Sequence, residues 1–165
     1  MVDETLVGSG APDLERTYTK VHVCKPGDTI RLNTKEGTSS MIGGRFPQTK
    51  ETTVNIPENC LAAQLDGTTA DDTSRIQFIF YRNKTGIFKV RNLSENVSFL
   101  TKSNLRGKQP VGPGRSIILG NRPDQLAGME IYWDRYSLKQ AGSLGETSDG
   151  NWSIEFKYLT SQGIS

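Results

Sequence analysis

Few side chains in this chain have the chemistry of a reactive centre. His22 is the only histidine, with Cys24 two residues on. A lone imidazole on a strand-like segment reads as a surface or satisfied histidine, not as a general base. Cys24 and Cys60 are too few to form a disulfide framework and read as buried apolar residues. No CxxC, HExxH or Cys/His cluster offers a zinc site. Gly112-Pro113-Gly114-Arg115-Ser116 is glycine-rich but lacks the spacing and the Lys-Ser/Thr ending of a phosphate loop, and it precedes a strand-like segment. Asp71 and Asp72 lie in a polar stretch and read as solvated charge. These residues describe a non-catalytic chain with no cofactor and no metal.

What must position any functional residue is a set of short strands. The chain has 165 residues, 34% of them hydrophobic, and thirteen aromatics, enough for one core. Ile76, Phe78 and Phe80 alternate with Gln77, Ile79 and Tyr81. Met129, Ile131 and Trp133 alternate with Glu130, Tyr132 and Asp134, and Trp152, Ile154, Phe156 and Tyr158 with Ser153, Glu155 and Lys157. Shorter strands are expected at 18–24, 29–32, 52–56, 86–92, 97–101 and 116–119. Turn residues punctuate them at Lys25-Pro26-Gly27-Asp28, Asp66-Gly67, Asn83-Lys84-Thr85-Gly86, Pro113-Gly114 and Asp149-Gly150. Leu61-Ala62-Ala63-Gln64 is too short to stand as a helix. The pattern predicts an all-β fold, an antiparallel β-sandwich. Residues 1–16 read as a flexible acidic leader, 17–165 as one domain, and 66–74 as a polar loop between two strands. Segments 129–136 and 151–159 either complete the sandwich or form an appended hairpin.

No run of about 18 apolar residues suits a transmembrane helix, and the acidic start has no apolar stretch of a signal peptide. The expected location is cytoplasmic. The four Asn-X-Ser/Thr sequons, at Asn83, Asn92, Asn96 and Asn151, matter only in a secretory compartment.

Net charge is +2, yet Arg82 to Arg122 holds nine Lys/Arg against Glu95 alone, leaving −6 for the remainder. Gathered at one end of a sandwich, these cations would form a rim for phosphate, acidic peptide or nucleic acid. The nucleic-acid signal is weak: Phe88 and Phe99 read as core, and no RNP-like motif is present.

From Phe88, FKVRNLSENVSFLTKSNLRGKQPVGPGRSIILGN runs strand, Asn/Ser turn, strand, Pro-Gly turn, strand ending in Leu-Gly. This resembles the second half of a forkhead-associated (FHA) domain, with its Ser-x-Asn-Gly-Thr-Phe turn, Pro-Gly-Asp turn and Ile-x-Leu-Gly strand. Ser94, Asn96, Ser98 and Phe99 match the turn; Gly114, Ile118, Leu119 and Gly120 match the later strand. Upstream, Ile42-Gly43-Gly44-Arg45 resembles the family's Gly-Arg signature and Val54-Asn55-Ile56-Pro57 the strand after it. The resemblance covers roughly residues 28–135. It implies an eleven-strand sandwich gripping phosphothreonine peptides with the loops of one end, with Arg45 on the phosphate and Asn96 on the peptide backbone.

Three positions depart from that pattern. Leu61-Ala62-Ala63-Gln64 stands where the family has Ser-x-x-His, removing a hydroxyl contact and a bracing imidazole. Val97 replaces the glycine of the turn, and the Gly-Arg motif carries an extra glycine. One lost hydrogen bond to a charged group costs about 1.5–3 kcal/mol. The expected function is therefore a protein–protein interaction or scaffold module with an FHA-like fold and no strict phosphothreonine dependence. The alternatives are a phosphothreonine-peptide reader using Arg45 with Arg82, Lys84 or Lys102 as substitute phosphate ligands, and a structural β-sandwich of a larger assembly such as a viral capsid or tail. The expected phosphopeptide-binding residues are Arg45, Ser94, Asn96, Ser98, Lys84 and Lys102, and the expected partner is a protein or a (phospho)peptide.

Overall fold

Phe78 and Phe80 face one way and Ile79 and Tyr81 the other, and all four are fully buried. A strand apolar on both faces belongs in the middle of a sheet with cover on both sides. The computed structural model describes residues 21–46, 60–103 and 105–161 and places that strand so. The strands are β1 (His22–Cys24), β2 (Thr29–Arg31), β3 (Thr38–Gly43), β4 (Cys60–Leu65), β5 (Phe78–Arg82), β6 (Phe88–Asn92), β7 (Ser98–Thr101), β8 (Gln109–Val111), β9 (Ser116–Gly120), β10 (Glu130–Trp133), β11 (Tyr136–Gln140), β12 (Gly145–Glu146), β13 (Trp152–Ser153) and β14 (Glu155–Thr160). One sheet has the order β1-β4-β3-β5-β6-β9 and the other β2-β14-β11-β10-β7-β8; β12 and β13 form a small ribbon.

The fold is the expected all-β sandwich, with one correction. The second sheet is wholly antiparallel, but in the first β4 runs parallel to both β1 and β3. A parallel neighbour needs a crossover of about a dozen residues or more, and residues 44–59 between β3 and β4 provide that length. Segments 129–136 and 151–159 complete the sandwich: β10, β11 and β14 are inner strands of the second sheet. The leader 1–16, the expected strand 52–56 and the Val54–Pro57 motif lie outside the described residues.

Phe78, Phe80, Phe88, Ile131, Trp133, Leu138, Phe156 and Tyr158 fill the space between the sheets. Rings meet across it, Phe78 edge-on to Trp133 at 4.9 Å and Phe80 against Phe156 at 5.4 Å. Each such side chain contributes roughly 1.5–3 kcal/mol by leaving water. Met41, Ile79, Tyr81, Cys60, Ala62 and Phe46 form a second buried cluster on the outer face of the first sheet. Cys24 and Cys60 are free and buried, as expected. Phe99 is not core: its neighbour Leu100 points inward, so Phe99 faces outward and is half-buried. Among the described residues no helix is long and apolar enough to cross a membrane.

Because the strands alternate in direction, the connections fall at two ends. Segments 44–46, 66–77, 93–97, 112–115 and 134–135 lie at the end where β6 finishes, the Asn92 end. Segments 32–37, 83–87, 102–108 and 121–129 lie at the opposite, Arg82 end.

Candidate functional site

Strand register brings the two expected corners to the same end. Ile42 pairs with Phe78, and Phe78 with Asn92, so the turns following Ile42 and Asn92 leave the sheet at the same end, with the start of β5 between them. The segment before β5 ties them together. The Arg45 amide donates to the Arg75 carbonyl at 3.3 Å, the Gln77 amide to the Ile42 carbonyl at 2.8 Å, and the Leu93 amide to the Gln77 carbonyl at 2.9 Å. Arg45 and Asn96 therefore sit on loops joined by one hydrogen-bonded bridge.

The Asn92 side chain, fully buried, organises the turn that carries Asn96. Its amide nitrogen donates to the carbonyls of Asn96 and Val111, both at 2.8 Å, while its oxygen accepts from the Ser94 amide at 2.9 Å. The Ser94 hydroxyl lies 2.7 Å from that oxygen and accepts from the Asn96 amide at 3.2 Å. Ser94 is thus spent on the turn, a side-chain cap of the usual Asx kind. Ser98 is fully buried beneath it. Neither hydroxyl is open to a ligand, which corrects both expectations. Asn96 is exposed, and so is Val97. Val97 keeps a negative φ, so this β-branched residue sits in the turn without backbone strain.

Arg45 is half-buried and one guanidinium nitrogen donates to the Thr73 carbonyl at 3.3 Å. Gln64, near the end of β4, braces the segment after Arg45: its side-chain oxygen accepts from the Phe46 amide at 3.1 Å. The two glycines before Arg45 are required by close packing. A Cβ on Gly43 would lie 2.6 Å from the Ile76 Cα, and one on Gly44 2.8 Å from the Thr68 hydroxyl.

The polar 66–77 loop is held by polar anchors in place of apolar ones. The Trp133 indole donates to the buried Thr73 hydroxyl at 3.0 Å. Asp72 accepts from Arg135 at 2.8 Å and from the Tyr136 hydroxyl at 3.0 Å, so it is an ion-paired residue, not a solvated charge. The Tyr136 hydroxyl, first among the causes, holds the Asp72 carboxyl below its ordinary value. Burial, with the Asp72 carboxyl as the next cause, pushes Asp134 above its own. Asp134 is also the one non-glycine among the described residues with a positive φ, 51°.

Lys84 and Lys102 do not belong to this cluster. Lys84 sits in the β5–β6 turn and Lys102 follows β7, both at the Arg82 end. The Lys102 ammonium donates to the Leu119 carbonyl at 2.7 Å, and burial lowers its pKa. Arg82 is a structural residue as well. It is 6% exposed, stacks on Trp152 at 4.3 Å, and donates to the carbonyls of Thr34 at 2.8 Å, Gly150 at 2.7 Å and Gly86 at 3.3 Å. The nine cations of 82–122 thus divide between the ends and the outer face of the sheet, since strand alternation sends every second connection the opposite way. To Arg45 the named segments of the Asn92 end add the exposed Arg75 and Arg115 and the Asp72-paired Arg135, against the carboxylates of Asp66, Asp71, Asp72, Glu95 and Asp134.

Elsewhere, a cleft of about 460 Å³ opens between the edge strands β1 and β2, lined by His22, Cys24 and Asp28 among others. Its thiol is pushed up by burial and then by Asp28. Among the described residues no group of three or more His, Cys, Asp or Glu could hold a metal ion. What the Asn92 end offers chemically is hydrogen bonding, charge and a small apolar contact on a pre-organised scaffold. Asn92, Gln64 and Gln77, the residues that build this scaffold, escape sequence reasoning: only Asn92, in an Asn-Leu-Ser-Glu-Asn turn, carries a local signal. Comparison of the chain with family models, with curated proteins and with solved structures finds no match.

Proposed function

We propose that the chain is a non-catalytic protein-interaction module, FHA-like in kind, that takes a peptide segment at the Asn92 end of the sandwich without strict dependence on phosphothreonine. The observation that carries this reading is the bridge of residues 75–77, which joins the Arg45 and Asn96 loops at one end. An exposed Asn amide can both donate to and accept from an extended backbone, and Val97 beside it is an apolar contact. Phosphate is an optional feature of the ligand because Ser94 and Ser98 are buried, Lys84 and Lys102 are at the other end, and Arg45 already spends one donor on Thr73. The cytosol is where this reading places the protein, with Cys24 and Cys60 as free thiols.

The test is a peptide array in matched phosphothreonine and unmodified versions, followed by titration of the best binders. Comparable affinities for both versions, each weakened about tenfold by Asn96→Ala, support the proposal. Binding that vanishes on dephosphorylation and on Arg45→Ala makes the protein a phosphothreonine reader instead. Binding indifferent to both substitutions removes the Asn92 end as the site.

A further inference from the structure

The outer face of the second sheet carries a row of side chains that the core does not use. Cross-strand register aligns Leu159 of β14, Ser137 of β11, Tyr132 of β10, Phe99 of β7 and Pro110 of β8. All five point away from the core, since Tyr158, Leu138, Ile131, Leu100 and Val111 beside them point into it. Tyr132 and Phe99 are half-buried, their ring centroids 5.8 Å apart and their planes inclined at 30°. On the other flank of Tyr132 stands Ser137, which is small and itself buried. The aromatic part of the row is thus the Tyr132–Phe99 pair on adjacent strands, about 5 Å apart between strands, with Pro110 at its edge.

The charge beside the pair is positive. The Lys108 ammonium stands 5.6 Å from both ring centroids. In the next row Lys157 pairs directly with Lys139, and Lys139 with Glu130. Like charges placed opposite each other on one sheet face repel, and both lysines are exposed. Among the described strand residues of this face, Arg31 and Glu155 also carry charge and pair with each other at 3.6 Å. One ammonium therefore lies over the two mutually tilted rings and two more stand in the next row, with the Glu130 carboxylate among them. The ligand complementary to that pattern has planar groups to stack and an anion at regular intervals.

We propose that this face binds single-stranded nucleic acid, with bases stacking on Tyr132 and Phe99 and phosphates meeting Lys108, Lys139 and Lys157. A sheet face with aromatic shelves and flanking cations is the arrangement that holds unpaired bases regardless of sequence, because every base has a π-face. Duplex DNA keeps its bases stacked inside and cannot use the rings. The row lies on the outer sheet face close to the 93–97 turn, Phe99 following Val97 by two residues, but it uses neither Arg45 nor Asn96, so substitutions at those two residues tell the surfaces apart.

The experiment is fluorescence anisotropy of the intact chain with a labelled oligothymidylate of about 15 nucleotides and a duplex of the same length, at about 50 and 200 mM salt. Single-strand binding should exceed duplex binding, weaken about tenfold or more in the Phe99→Leu/Tyr132→Leu double variant, and weaken with rising salt, less steeply after Lys139→Ala/Lys157→Ala. Leucine keeps apolar bulk on the sheet while removing the π-face, and circular dichroism verifies the fold. Arg45→Ala should leave this binding unchanged. No binding at about 50 mM salt, equal affinity for duplex, or indifference to the ring substitutions overturns the proposal. So does a concentration-dependent dimer that the same ring substitutions dissolve, since a second copy would then own the face.

Discussion

The backbone of Arg75 and Ile76 passes directly over Gly43, so close that a Cβ on Gly43 would overlap the Arg75 carbonyl oxygen and lie 2.6 Å from the Ile76 Cα. Hydrogen bonds on both sides, Arg45 to Arg75 and Gln77 to Ile42, keep that segment from retreating. Gly43→Ala is expected to cost about 3 kcal/mol, the upper part of the range for forcing atoms into a packed site. Gly112→Ala is the control: its Cβ would meet only the Arg115 side chain at 3.5 Å, at negative φ, so a change within about 0.5 kcal/mol is expected. Urea denaturation of both variants checks the pair, and equal midpoints would remove the close-approach argument.

That glycine shows how much was legible in the sequence and why the rest was not. The Gly-Gly-Arg run stands out as residues, but its reason lies in a segment thirty residues away. Strands with clean alternation, β6, β10 and β14, were readable because one face meets the core and period two records it, whereas β5, buried on both faces, was readable as a short apolar run. β4 was not: Leu61-Ala62-Ala63-Gln64 has little strand propensity, and pairing with β3 and β1 holds it extended. Register, which no single segment encodes, decided that Arg45 and Asn96 share an end while Lys84 and Lys102 do not.

Arg82 is expected to be the costliest charged residue to remove. Arg82→Met would leave the carbonyls of Thr34 and Gly150 without their charged donor and Trp152 without its cation. A loss of about 3–5 kcal/mol is expected, as for breaking a buried charged network. Glu36 lies 4.0 Å from the same guanidinium with its side chain 56% exposed, so Glu36→Gln should change stability by less than about 1 kcal/mol. Denaturation followed by tryptophan fluorescence compares them; similar losses would mean that the ion pair, not the carbonyl cage, holds Arg82.

The two thiols should be silent in the native state. Cys24 is 6% and Cys60 7% exposed, and burial with Asp28 nearby disfavours the Cys24 thiolate, the reactive form. A thiol reagent at about pH 8 should label the folded protein slowly and the denatured protein at both cysteines. Fast native labelling at either position would contradict the burial of that strand.

Asp72 and Asp134 should bend the pH dependence of stability in opposite directions. The Asp72 pKa is lowered on folding, so its contribution is complete above the ordinary carboxylate pKa, about 3.9, and is lost as pH falls through the lower folded value. The Asp134 pKa is raised, so the folded state holds its proton longer than the unfolded chain, and stability declines as pH rises from about 3.9 through the higher folded value. Asp72→Asn is therefore expected to flatten the acid limb and Asp134→Asn the limb above it, with the Asp134 variant gaining stability at neutral pH because asparagine keeps the tolerance for φ 51° while ending the repulsion from Asp72. Urea midpoints for the wild type and both variants between about pH 3 and 8 trace the two limbs. Curves that run parallel throughout would show that the carboxylates do not interact across the 66–77 loop and the β10–β11 turn.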